Sequence, residues 1–140
     1  KFHPSGSLGN KLKTAEDLML TKEKIPFVNE NETIKNGIKI INSKKLGVLI
    51  ARNAKKDTTG IFTDGDIKRV IQKNFDIRNN KIKSFMTKSP ISIEKDTLAV
   101  KALNIMNEKK ITCLCIYKKG KRKKTIGILH IHNILASDIS

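Results

Sequence analysis

The chain says the same thing twice, and no other feature limits its possible folds as strongly. "TKEKIPFV", starting at Thr21, is echoed by "TKSPISIE", starting at Thr87. "NSKKLGVLIA" from Asn42 returns as "NEKKITCLCI" from Asn107, and "TGIFTDGDIKRVI" from Thr59 as "IGILHIHNILASD" from Ile126. The matches keep their order at a spacing of about 65 residues, and a fixed period marks one structural unit used twice. Each copy reads β-α-β-β-α. A short β-like piece (25–28; 91–93) leads into an amphipathic helix. In the first copy this helix spans 33–43, with Ile34, Ile38 and Ile41 on one face. In the second it spans 97–109, with Leu98, Ala102, Leu103 and Ile105 or Met106. Both helices open with an acidic residue and a threonine, which is capping chemistry. A β-run follows (46–51; 111–117), then a charged turn, a second β-run (59–63; 125–130) and a closing helix. One copy of about 60 residues buries too little apolar surface to stand alone. An α+β pair packed sheet to sheet is therefore expected, with 76–86 as the link.

The junction "GIFTDGDIKRVI" concentrates the chemistry of the first copy. A strand ends at Thr63 and a helix begins at once, with Ile67, Val70 and Ile71 spaced for one face. Thr63-x-x-Asp66 satisfies a capping box, which by itself explains both residues. The same geometry suits a ligand. A helix start offers unpaired N–H groups and a positive dipole end to a phosphate. A carboxylate there can accept hydrogen bonds from both hydroxyls of a ribose. In the second copy His130 stands for the threonine and Asn133 for the aspartate. Asn133 brings no charge, so a second site should prefer a more anionic ligand. His130 and His132 lie two apart without a third ligand, which makes ligand contact or exposure the expected role and a metal site not expected.

Composition removes several classes. No apolar run approaches the ~18 residues of a membrane span, and the N-terminus has no apolar signal-peptide core. The chain opens at Lys1 without a methionine and reads as an excised piece of a cytoplasmic protein. Cys113 and Cys115 share a strand face at ~6.6–6.8 Å, the far limit for a disulfide, and read as buried small apolar residues. Net charge is +16, which raises nucleic acid as a partner. The lysines are nonetheless scattered, and only 4% of residues are aromatic, which leaves few platforms for stacking bases. The one dense run, "KKGKRKK" from Lys118, reads as a solvated hairpin loop.

The repeat, together with glycine, threonine and aspartate at the strand exit, resembles a tandem pair of cystathionine-β-synthase (CBS) domains. Gly60, Ile61, Phe62, Thr63 and Asp66 fit that family's ligand motif position by position. The N-terminal "FHPSGSLGNKL" is similar to the segment that closes the sugar isomerase (SIS) domain of bacterial D-arabinose 5-phosphate isomerases, in which a CBS pair follows. Ser5 departs from the usual first glycine. "IPFV", "KKLGV", "GIFTDGDIKRV" and "LHIHNIL" look like stretches of the same family. The resemblance implies a remnant of the SIS domain with linker at 1–14, a first CBS domain at 15–76 and a second at 77–140. It implies a regulatory pair that senses a nucleotide or nucleotide-sugar, with CMP-Kdo, AMP and ATP as candidates. The parent enzyme would convert ribulose 5-phosphate to arabinose 5-phosphate for Kdo and lipopolysaccharide synthesis. His3 would be catalytic in that full-length parent only, since proton transfer between neighbouring carbons suits a histidine. The chain alone is expected to be inactive.

Ligand contacts are expected from Thr63, Asp66, His130, His132 and Asn133 and from the backbone of Ile25, Pro26 and Phe27, which would grip the base. No cofactor is implied. Homo-oligomerisation through the pair is, as a dimer of this chain and a tetramer of the parent. Two other classes stay open: a structural oligomerisation module that binds nothing, and a basic nucleic-acid-binding domain.

Overall fold

The computed structural model describes residues 12–137. Its chain divides into two units, Glu23–Pro90 and residues 12–22 together with 91–137. Each is a small α+β layer built on one sheet.

In the first unit β1 (Phe27–Asn29), β2 (Val48–Arg52), β3 (Thr58–Thr63) and β4 (Thr87–Lys88) form a sheet in the order β1-β2-β3-β4. β1 runs parallel to β2, and β2/β3 and β3/β4 are antiparallel. The crossover between β1 and β2 is helix α2 (Ile34–Lys44), because a parallel pair cannot be closed by a tight turn. Thr33 caps α2 by accepting from Asn36 N at 3.2 Å. Its last turn ends at Lys45 in the left-handed region, φ 59°. The tight turn between β2 and β3 is held by Asn53, whose Oδ1 accepts from Lys55 N and Asp57 N, each at 3.0 Å. Helix α3 (Asp64–Gln72) follows β3 with no loop. Val28, Ile34, Ile41, Leu49, Phe62, Val70 and Ile82 make the core between helices and sheet. Each such side chain contributes about 1.5–3 kcal/mol by leaving water.

The second unit repeats this plan. β5 (Ser92–Glu94), β6 (Cys113–Tyr117) and β7 (Gly127–His130) form a sheet in that order, with β5 parallel to β6. Helix α4 (Ala99–Lys109) crosses between β5 and β6, and α5 (Ile131–Ala136) follows β7 directly. Lys110 ends α4 at φ 57°, the counterpart of Lys45. The hydrogen bond from Ile50 N to Pro26 O, 2.8 Å, is repeated by Cys115 N to Ile91 O, 3.2 Å. The expected tandem α+β pair is therefore present in its element order and in its hydrogen bonding.

Two local expectations need correction. Thr97 does not cap α4: the helix starts at Ala99 behind Leu98, with no side-chain cap. The Ala99 N–H instead donates to Lys13 O at 2.8 Å, so a backbone carbonyl from another segment does the capping. Leu98, expected on the apolar face, is 44% exposed, and Ala99, Ala102 and Met106 form the buried stripe.

Three segments carry structure beyond the repeated plan. Helix α1 (Ala15–Leu18) packs with the second unit, where Leu20 N donates to Ile128 O at 2.8 Å and Leu20 O accepts from Ile128 N at 3.0 Å. A 3-10 turn occupies Lys22–Lys24. Another, Ile82–Ser84, inserts Ile82 into the first core, after which β4 pairs with β3. The two strap-like segments meet equivalent glycines. A Cβ on Gly60 would stand 2.5 Å from Met86 Sδ and 2.9 Å from Thr87 O. One on Gly127 would collide with Met19 Sδ and lie 3.1 Å from Leu20 O. The family-motif glycine is thus a place where a crossing segment comes too close for any side chain.

Candidate functional site

The first unit brings most of the expected residues to one end of its sheet. Thr63 faces Val48 across β2/β3, and Pro26 O is bonded to Ile50 N two residues further along β2. The entry to β1 and the exit of β3 therefore share one end of the sheet, with Ile25, Pro26 and Phe27 on one side of β2 and Thr63 and Asp66 on the other. Ile25 and Pro26 are buried, which leaves their side chains unavailable for contact with solvent. Ile25 O already accepts from Phe27 N at 2.8 Å, and each carbonyl keeps a second lone pair. Phe27 is half-buried beneath Arg52, whose guanidinium carbon lies 3.6 Å from the ring centroid. Partial burial lowers the Arg52 pKa from its usual value.

Thr63 and Asp66 form the capping box that their spacing predicts. Asp66 N donates to Thr63 Oγ1 at 3.3 Å, and Asp66 Oδ2 accepts from Thr63 N at 2.9 Å and Thr63 Oγ1 at 3.2 Å. Asp66 Oδ1 pairs with Arg69 Nη2. A carboxylate this deeply buried needs such partners, because an unpaired one would be costly. Here its partners are the N-cap residue Thr63 and Arg69, one turn along α3.

A pocket of about 200 Å³ lies beside this carboxylate, lined by Asp66, Arg69, Val70, Lys73, Phe75 and Phe85. The first four sit at i, i+3, i+4 and i+7 of α3, one helical face. Phe75 and Phe85 close it, with ring centroids 4.8 Å apart at 59°. Sequence reasoning missed Arg69, Lys73 and both phenylalanines. The spacing of Asp66, Arg69 and Lys73 was a usable signal; the approach of Phe85 was not. At the opposite end of the sheet Val28, Asn29, Arg52, Asn53, Ala54 and Lys56 line a second pocket of about 170 Å³.

The second unit rebuilds the cap with different atoms. His130 N donates to Asn133 Oδ1 at 3.1 Å, and His130 Nδ1 accepts from His132 N at 3.2 Å. The imidazole therefore presents an unprotonated Nδ1, in the place of the threonine hydroxyl. The two histidine rings lie 4.6 Å apart; His130 is buried and His132 exposed. Among the described residues no three histidine, cysteine, aspartate or glutamate side chains gather as a metal site would require. Cys113 and Cys115 are buried, free thiols on β6. Burial pushes Cys115 up to about 12 and raises Cys113 further, so both stay protonated and unreactive. His3 lies outside the described residues.

The seven residues from Lys118 are all exposed, on a double turn with Lys121 N bonded to Lys118 O and Lys124 N to Lys121 O. No helix among the described residues is long and apolar enough to cross a membrane.

Two β-α-β-β-α units, each with a capped helix at the exit of its third strand, define a paired small-domain module. Residues 15–73 and 82–139 each match the CBS domain model, and the chain belongs to the CBS domain family. It is 35% identical, over 138 residues, to the arabinose 5-phosphate isomerase KdsD of Salmonella typhimurium. The KdsD protein of Yersinia pestis is 34% identical over the same length. The match takes in 98% of this chain and the C-terminal part of those enzymes, so the chain spans only 41% of their length. Among solved structures, the CBS domain pair of protein MJ0100, in complex with 5'-methylthioadenosine and S-adenosyl-L-methionine, superposes with a TM-score of 0.78. It is 18% identical and covers 89% of this chain and 94% of its own. The CBS domain protein PAE2072 of Pyrobaculum aerophilum, complexed with AMP, gives a TM-score of 0.77 at 17% identity over 91% of this chain and 98% of its own. These two likenesses establish the fold.

Proposed function

We propose that this chain is the regulatory, nucleotide-sensing CBS pair of a cytoplasmic D-arabinose 5-phosphate isomerase. The observation that carries the reading is the 35% identity to the C-terminal part of KdsD across 98% of the chain. The isomerase reaction, with His3 as its contribution from this end, belongs to the parent enzyme. Ligand binding draws support from solved pairs of this fold that hold AMP or S-adenosyl-L-methionine. It draws further support from the buried carboxylate of Asp66 at the start of α3. A ribose diol suits Asp66, a phosphate suits the helix start, and a base fits against the backbone of Ile25, Pro26 and Phe27. AMP, ATP and CMP-Kdo all meet that description, and CMP-Kdo adds an end product's logic for control of Kdo synthesis.

A thermal-shift series with AMP, ATP and CMP-Kdo tests this. A ligand at a hundred times its Kd stabilises the folded state by about 2.7 kcal/mol, which for a domain of this size is a rise in Tm of roughly 5–10 °C. No shift with any of the three would leave a structural pair in place of a sensor. That second reading has its own observation: Ile71 on α3 and Leu135 on α5 are apolar yet 58% and 54% exposed. Both readings place these side chains in a contact between copies, expected to give a two-fold dimer. Sedimentation equilibrium should return twice the monomer mass; a monomer at high protein concentration would remove the oligomer from both.

A further inference from the structure

Asp66 is held by partners of two different kinds. Its Oδ2 belongs to the helix cap, bonded to Thr63 N and Thr63 Oγ1. Its Oδ1 is taken by Arg69 Nη2, from one turn further along α3. The Asp66 side chain is 5% exposed, whereas that of Arg69 is 62% exposed. A buried anion is thus covered by a cation that lies at the surface. A Cβ on Gly65 would stand at an ordinary contact distance of 3.8 Å from Arg69 Nη1, so the guanidinium lies beside the first turn of α3. Arg69 also shares a pocket with Asp66, Lys73, Phe75 and Phe85, so the cation that covers the carboxylate lines the adjoining cavity as well.

We infer that Arg69 is the specificity-determining residue of this site, a displaceable counter-ion that makes it select a nucleoside phosphate over a nucleoside. The inference rests on the nucleotide reading above. A ribose diol that takes both carboxylate oxygens competes with the guanidinium for Oδ1, which at a 5% exposed side chain leaves little room for both. Only the arginine of this pair is exposed, and the hydroxyls of the diol replace its bond to the buried carboxylate, so the exchange leaves no buried charge unpaired. A nucleoside opens the pair and returns nothing to the arginine. A nucleotide returns a phosphate, whose oxygens match the guanidinium fork better than those of any other common group. The carboxylate changes one set of charge-assisted bonds for another, and the arginine does the same. Discrimination therefore lies in the phosphate.

Calorimetric titrations of the chain with AMP and adenosine, and with CMP and cytidine, test the exchange. The wild-type chain should prefer the nucleotide of at least one pair by about tenfold or more, the scale of a hydrogen bond to a charged group. Arg69→Ala should weaken that nucleotide by about tenfold and leave its nucleoside equal or tighter, because Oδ1 is then free. Arg69→Lys, which keeps charge without the fork, should fall between. A merely structural arginine would shift nucleotide and nucleoside alike. An unchanged ratio in Arg69→Ala, or no preference in the wild type, would overturn the exchange while the nucleotide reading stands. Failure of all four probes to bind the wild type would overturn the exchange, and failure of ATP and CMP-Kdo as well would overturn the nucleotide reading with it.

Discussion

Phe62→Ala should destabilise the first unit by about 3–5 kcal/mol, the range for removing a fully buried aromatic side chain. Phe62 is completely enclosed and belongs to the same buried cluster as Val28, Ile34, Ile41, Leu49, Val70 and Ile82. It also stands directly before the cap, so the cavity it leaves would loosen the strand that presents Thr63. Phe75→Ala is the matched control. Phe75 is 45% exposed and touches the same unit through its tilted contact with Phe85. Its loss should cost about 0.5–1.5 kcal/mol beyond the area it buries. Urea unfolding followed by circular dichroism separates the two. Equal midpoints for the two variants would mean that the inner face of β3 is not the core.

Asp66→Ala should weaken nucleotide binding by about 1.5–3 kcal/mol, the range for a hydrogen bond to a charged group. The same change removes one half of a capping box, with a stability cost of about 0.5–2 kcal/mol. Asp66→Asn separates the two effects, and the second unit shows how. There Asn133 Oδ1 accepts from His130 N at 3.1 Å, doing for α5 what Asp66 does for α3. Asn at 66 should therefore keep the cap and the Tm while losing charge, and with it most of the affinity. Titration of the asparagine variant decides the matter. Full affinity in a protein of unchanged stability would make Asp66 a cap and nothing more.

The sequence by itself determined the repeat, the β-α-β-β-α order and the pairing of Thr63 with Asp66. Those features depend on residues within a turn or two of one another. Apolar spacing selects helix or strand, and a threonine three residues before an aspartate already contains both halves of a cap. Equivalence between the copies was legible for the same reason, because two versions of one local pattern must fold alike. Boundaries were less legible: the strand expected from 25 begins at Phe27, and the one expected from 125 begins at Gly127. Strand ends are set by where the partner strand stops, which the strand's own residues do not encode. Tertiary structure alone decided that residues 15–20 pack with the second repeat and that Lys13 O caps α4 in place of Thr97. It decided why Gly60 and Gly127 must be glycine, since Met86 and Met19 arrive from segments far along the chain. It also placed Phe85 against the face that carries Asp66, Arg69 and Lys73, turning a helix surface into a pocket. Each of these is a contact between distant stretches, and its energy depends on a shape that exists only once the chain has closed on itself.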